Sequence, residues 1–150
     1  MKGCRMGRDF TYPAAVTVDE AGFHLVSFPD IPEAHTDGPT PSEALAEAAD
    51  CLDEAIAGRI ARGEEIPSPS RPKGRHHLVP LSALMAAKAA LHLTLRDAGV
   101  SKSELARRLG VDEKEVRRML DPKHGTRIPA IADALRVLGK TLVIGVRDAA

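Results

Sequence analysis

No stretch of the sequence approaches the roughly 18 consecutive apolar residues of a membrane span, and its start, MKGCRMGRDF, lacks the apolar run of a secretory signal. The chain is therefore expected in the cytoplasm. Two cysteines, Cys4 and Cys51, supply neither a disulfide framework nor paired metal-ligand spacing. Cys51 falls within a helical pattern and reads as a small buried side chain. There is no Gly-rich phosphate loop, no G-x-S-x-G elbow, no H-E-x-x-H and no internal repeat. These absences exclude a disulfide-stapled domain, an integral membrane protein and the common hydrolase signatures. What remains is 150 residues with 43% hydrophobic content, enough for one ordinary domain or two small ones.

The formal net charge is zero, yet the charges sort by position. Residues 1–70 carry 5 Lys/Arg against 13 Asp/Glu, whereas residues 71–150 carry 16 against 8. Attraction between acidic and basic faces of one chain, or of its copies, would explain solubility but not this sorting. Two halves with opposite fields point to two partners of opposite charge. The sign changes at EEIPSPSRPKG (residues 64–74), whose prolines, serines and glycine resist regular structure. This divides the chain into a domain at 1–63, a linker at 64–81 with a possible return strand at 77–81, and a second domain at 82–150.

In the first domain apolar residues occupy every even position from Phe10 through Tyr12, Ala14 and Val16 to Val18, the period of a strand with one buried face. Asp19-Glu20-Ala21-Gly22 supplies a turn and residues 23–28 resume a β-rich run, so an antiparallel hairpin is expected. Pro13 cannot donate to a ladder and belongs at an edge or bulge. A third, short strand is expected near residues 33–37. Thr40-Pro41-Ser42-Glu43 has the form of a capped helix start, followed by an apolar stripe of Leu45, Ala48, Leu52, Ala55, Ile56 and Ile60 that ends at Gly63. A small sheet with one helix on one face is the simplest way to bury both.

Between hairpin and helix lies FPDIPEAHTDG, residues 28–38. Asp30, Glu33, His35 and Asp37 are the raw material of a metal-dependent nuclease. The prolines and the Asp37-Gly38 pair nonetheless read as turn chemistry, and spacing alone is weak evidence for a metal site. No catalytic residue, metal ligand or cofactor is assigned.

The second domain opens with a helix over residues 84–98, with Leu84, Leu91 and Leu95 on one side. Next comes SKSELARRLGVDEKEVRRML, residues 101–120. Ser101 with Glu104 and Asp112 with Glu115 make two capping-box starts eleven residues apart. Gly110 provides the left-handed turn between them. Leu105, Leu109, Val111, Val116 and Met119 form a shared core, with the small Ala106 at the crossing. The arrangement resembles a helix-turn-helix of the phage-repressor type. On that reading residues 112–120 enter the major groove, exposing Glu113, Lys114, Arg117 and Arg118, while Ser101, Lys102 and Ser103 suit phosphates. A hairpin that serves only packing or dimerisation is the plainer alternative. A further helix follows at 126–138, and residues 141–146, TLVIGV, read as a short strand that would pair with its copy in a second subunit.

Tyr12-Pro13-Ala14, Asp19-Glu20-Ala21-Gly22-Phe23, Phe28-Pro29-Asp30-Ile31-Pro32, Thr36-Asp37-Gly38, Ser42-Glu43-Ala44-Leu45 and Ile66-Pro67-Ser68-Pro69-Ser70 together resemble the N-terminal domain of HicB-family antitoxins. DPKHGTRI (121–128) and ALRVLGKTLVIGV resemble the C-terminal domain of its helix-turn-helix subgroup. The resemblance implies an α+β chain: a degraded ribonuclease-H-like sheet and helix without nuclease activity, then an all-α helix-turn-helix domain with a terminal strand. It further implies binding of HicA, a small basic mRNA-cleaving toxin, repression of the chain's own operon by operator binding, and a homodimer or higher oligomer. Phe28, Pro29, Asp30, Ile31, Pro32 and Glu33 and the acidic helix are the expected toxin-facing groups. A one-component regulator whose first domain senses a small molecule is the alternative function.

Overall fold

The computed structural model describes residues 7–148, so Cys4 lies outside the described residues. It is an α+β chain with strands β1 (Thr11–Val18), β2 (His24–Ser27), β3 (His35–Gly38) and β4 (His77–Pro80), and helices α1 (Pro41–Ala61), α2 (Ala83–Ala98), α3 (Lys102–Leu109), α4 (Glu113–Leu120) and α5 (Ile128–Val137). Two compact units meet in sequence between Ala86 and Ala87, within α2. Among the described residues no helix is long and apolar enough to cross a membrane.

In the first unit the four strands form one antiparallel sheet in the order β3-β2-β1-β4. The β1–β2 turn is tied by Asp19, whose carboxylate accepts the N–H groups of Ala21 and Phe23, both at 2.9 Å. β1 divides its pairing: Thr11 to Ala14 face β4 and Ala15 to Val18 face β2. The Phe10 carbonyl accepts from Leu81 on the β4 side. Backbone groups alternate sides along a strand, which turns the missing N–H of Pro13 toward the end where β2 no longer pairs. Proline thus sits inside an inner strand without costing a ladder bond.

One sheet face carries Tyr12, Ala14 and Val26 against α1, which buries Ala44, Ala48, Leu52, Ile56 and Ile60. The buried stripe starts at Ala44 rather than Leu45. The reason lies at Gly38: a β-carbon there would stand 2.7 Å from the Ala44 nitrogen, so β3 and α1 touch backbone to backbone. The Thr40 hydroxyl caps α1 by accepting from the Glu43 N–H at 3.2 Å. The segment 28–34 is two successive turns, Ile31 N–H to Phe28 C=O and Ala34 N–H to Ile31 C=O, which drive Phe28, Ile31 and Ala34 into the core.

Residues 64–76 lie along this unit. Ile66 is 2% exposed, the Tyr12 hydroxyl donates to the Pro67 carbonyl at 2.7 Å, and Asp30 accepts from the Ser70 N–H at 2.9 Å and the Ser70 hydroxyl at 3.0 Å. Burial, then the neighbouring Asp30 carboxylate, pushes the Tyr12 phenol up to about 12 from its ordinary 10.0. Between those pH values the unfolded chain surrenders this proton while the folded chain keeps it, so stability falls as pH rises through the interval. Tyr12 is the one tyrosine of the chain, which makes the effect directly visible. In an alkaline titration, tyrosinate absorbance is expected to appear together with the loss of β-sheet circular dichroism. Ionisation at an ordinary midpoint, ahead of any unfolding, contradicts the buried Tyr12–Pro67 bond.

In the second unit α2 is buried almost continuously from Ala87 to Leu95. α3 packs on α4 and α5, with Leu105, Val116 and Ile131 fully buried. Gly110 takes the left-handed conformation, φ 67° and ψ 31°, and this turn carries Val111 outward. Val111 is 39% exposed and Leu109 only half-buried, so the shared core rests on Leu105, Ala106, Val116, Met119 and Leu120. Residues 141–146, expected as a strand, form neither helix nor strand in the single chain, and Val143, Ile144 and Val146 face solvent. A strand needs a neighbour for its ladder, and this unit offers none among its described residues.

Candidate functional site

The first unit's candidate surface is the outer side of α1. Glu43, Glu47, Asp50 and Glu54 recur at intervals of about one helical turn and are all exposed. Among the described residues they have no ion-pair partner, so their charge is uncompensated. Glu33 and Asp53 of the same unit are engaged. Arg59 grips Glu33 with two bonds, Nε to Oε2 at 2.6 Å and Nη2 to Oε1 at 2.8 Å, and donates to the Glu65 carbonyl at 3.0 Å. That guanidinium holds the Glu33 carboxyl below its ordinary range. Asp53 accepts the Ser82 N–H at 3.0 Å.

Of the six residues expected to face the toxin, Phe28 and Ile31 are core, at 1% and 0% exposure. Pro29, Pro32 and Glu33 reach solvent, and Asp30 is half-buried beneath Ser70. The four residues of the metal-nuclease reading do not assemble. Asp30 is bound to Ser70, Glu33 to Arg59, and His35 and Asp37 stand exposed on β3. Among the described residues no three His, Cys, Asp or Glu side chains gather as a metal-binding group. Cys51 is half-buried, its Sγ 3.5 Å from the His35 carbonyl oxygen.

The second unit's candidate surface is formed by α3 and α4. Ser101 caps α3 by accepting the Glu104 N–H at 3.1 Å, and Asp112 caps α4 through the Lys114 N–H at 3.3 Å. The carboxylates expected to close these caps turn to arginines instead, because an i+3 or i+4 guanidinium is a charged donor where a backbone N–H is neutral. Glu104 takes Arg107 at 2.6 Å and Arg108 at 3.0 Å, and its carboxyl is held down to about 2 by those two hydrogen bonds. Arg117 binds Glu113 at 2.8 Å and Arg118 binds Glu115 at 3.3 Å. Ser103 donates to Glu113 at 3.0 Å, tying the start of α3 to the start of α4. This hydrogen bond, then that from Arg117, lowers the Glu113 carboxyl. Glu113 thus acts as a bracket between the helices, which gives this acid a structural role on the surface. Lys102 and Lys114 are exposed and have no ion-pair partner among the described residues.

Lys88 is the residue that sequence reasoning missed. It is 0% exposed and its ammonium meets the carbonyls of Arg118, Asp121 and His124 and the hydroxyl of Thr126. Burial pushes the amine below the ordinary lysine range, against the pull of the Asp121 charge. A signal was available: Lys88 stands at helical spacing inside the apolar stripe of Leu84, Leu91 and Leu95, where a lysine must find oxygens or leave the core.

The family model described as "HicB_like antitoxin of bacterial toxin-antitoxin system" matches residues 11–90. "Antitoxin HicB 2" of Photorhabdus laumondii is 43% identical over 137 residues, 91% of this chain and 96% of that protein. "Antitoxin HicB" of Escherichia coli strain K12 is 36% identical over 131 residues, 87% of this chain and 95% of that protein. "Antitoxin HicB" of Pseudomonas fluorescens is 38% identical over 132 residues, 87% and 90% respectively.

Proposed function

Because the chain belongs to the HicB-like family of bacterial antitoxins, we propose that it neutralises a small basic HicA-like toxin through its first unit and represses its own operon through its second. The family works by binding, not catalysis. The observation that carries the toxin reading is the uncompensated stripe of Glu43, Glu47, Asp50 and Glu54. An mRNA-cleaving toxin must present cations where RNA phosphates lie, and carboxylates one helical turn apart can take the same places. Pro29, Pro32 and the outer edge of Glu33 add solvent-facing surface on the same unit. Sheet and helix are read as a degraded ribonuclease-H-like domain that keeps the architecture for binding alone.

The second unit is read as a helix-turn-helix of the phage-repressor type, α4 entering the major groove. Arg117 and Arg118 are held by exposed i,i+4 and i,i+3 pairs respectively, which water and salt screen. Such pairs exchange readily for phosphate oxygens or guanine edges. Ser101, Lys102, Ser103 and Lys114 line the two helix starts, where phosphates are favoured. The solvent-facing Val143, Ile144 and Val146 suit pairing of residues 141–146 with their copy, giving a twofold dimer that offers two α4 helices to a palindromic operator.

A short basic reading frame is expected beside this gene, and its product should co-purify with the chain. For the DNA half, Arg117→Ala together with Arg118→Ala is expected to weaken binding to the upstream DNA by about 10- to 100-fold, with toxin binding unchanged. A gel shift identical to that of the unaltered chain rejects α4 as the reading helix.

A further inference from the structure

On the reading of the second unit as an operator-binding domain, we propose that residues 121–127 form a second contact to the DNA backbone through Lys123 and Arg127, and that the buried ammonium of Lys88 positions them. α4 ends at Leu120 and Pro122 cannot continue it. The Asp121 N–H closes the helix on the Arg117 and Arg118 carbonyls, and the Arg118 carbonyl also meets Lys88. Lys88 Nζ lies 3.2 Å from the Arg118 carbonyl, 2.7 Å from the His124 carbonyl and 3.2 Å from the Thr126 hydroxyl, and it also bonds the Asp121 carbonyl. The Thr126 hydroxyl donates in turn to the Arg118 carbonyl at 3.0 Å, so loop and helix end share one set of bonds.

Among the described residues no carboxylate hydrogen-bonds this ammonium. The Asp121 side chain accepts the Lys123 N–H at 2.9 Å instead. The charge is met by carbonyl dipoles and by the negative end of α4, an arrangement that stabilises a cation only while those carbonyls stay fixed. The loop's Asp121 and His124 carbonyls and its Thr126 hydroxyl turn to the ammonium, while the side chains of Lys123, His124 and Arg127 are exposed. Lys123 and Arg127 have no ion-pair partner among the described residues, in contrast to Arg107, Arg108, Arg117 and Arg118, each of which is matched to a glutamate. Uncompensated cations on a rigid loop just beyond α4 suit the phosphates flanking a major-groove site, and no base edge is needed to hold them.

The test uses the full chain and a fluorescein-labelled duplex of the DNA upstream of its gene, titrated by anisotropy over a range of salt concentrations. Lys123→Ala with Arg127→Ala is expected to weaken binding at least tenfold at low salt and to reduce the slope of log affinity against log salt by about 2. Lys88→Met, measured where circular dichroism shows the unit folded, is expected to flatten the slope as well, although both cations remain in the chain. A residue that only stabilised the fold would leave the slope of a folded variant unchanged. Lys88→Gln, which keeps N–H donors on a shorter stem, should recover part of it. Thr126→Val, which spares the carbonyl ligands of the ammonium, should shift the slope in the same direction by less, and serves if Lys88→Met does not fold. An unaltered slope in the folded Lys88 and Thr126 variants overturns the positioning role, and an unaltered slope in the double variant overturns the contact. If the unaltered chain binds no upstream DNA, the operator reading fails and this inference with it.

Discussion

Gly38→Val is expected to unfold the first unit and abolish toxin binding while upstream DNA is still bound. The glycine is buried at the end of β3, and a β-carbon there would lie 2.7 Å from the nitrogen, 2.8 Å from the α-carbon and 3.1 Å from the β-carbon of Ala44. Two of those atoms are backbone in the first turn of a capped helix, so no rotamer change makes room. Either α1 lifts off the sheet or β3 leaves β2. Both expose the row of Ala44, Ala48, Leu52, Ile56 and Ile60 that forms the unit's core. The cost is about 3–5 kcal/mol, comparable with the whole stability of a small domain. Val143→Ala, by contrast, falls on a side chain 82% exposed and should leave the melting of a single chain almost unchanged. Differential melting of the two units, with mobility shifts for DNA and pull-downs for toxin, reads the result. A Gly38→Val chain that retains toxin at unaltered affinity would mean that α1 does not need its close seat on β3.

The second large effect belongs to the acidic stripe. Glu47→Lys, Asp50→Lys and Glu54→Lys together are expected to weaken toxin binding by at least about 100-fold, since each reversal sets like charge against the cationic partner. The fold should be little affected, because these side chains are exposed and make no ion pair among the described residues, and such surface changes are usually worth about 0.5 kcal/mol or less each. Association rate should fall more steeply than dissociation rate rises, and added salt should narrow the difference from the unaltered chain. Binding that is indifferent to both the substitutions and salt would place the toxin interface elsewhere on the unit.

Much of the fold was legible because short-range signals were consistent. The even-position pattern of residues 10–18, the Asp19–Gly22 turn, the Thr40 and Ser101 caps and the left-handed Gly110 all specify local structure without help from distant residues. What escaped depends on residues far apart in sequence. Gly38 reads locally as the second half of a turn pair, and only the docked helix shows that it is needed for close approach. The proline-rich residues 64–70 look free by composition, yet Ile66 enters the core and Tyr12 and Asp30 hold Pro67 and Ser70. All six residues of FPDIPE are expected from sequence to face the toxin. The two tight turns instead sort them, with Phe28 and Ile31 inward and Pro29, Pro32 and Glu33 outward. Lys88 lay in plain view within an apolar stripe, but its oxygens come from residues 30 to 38 positions away.

The measurement closest to the central claim is titration of the adjacent gene's product, cleaving a labelled mRNA, with increasing amounts of the chain. Cleavage is expected to stop at a fixed stoichiometric ratio with the unaltered chain and to persist at that ratio with the Glu47, Asp50 and Glu54 reversals. Cleavage that continues undiminished in excess unaltered chain, or that the charge-reversed chain stops equally well, contradicts an antitoxin that acts by covering a cationic surface with its acidic helix.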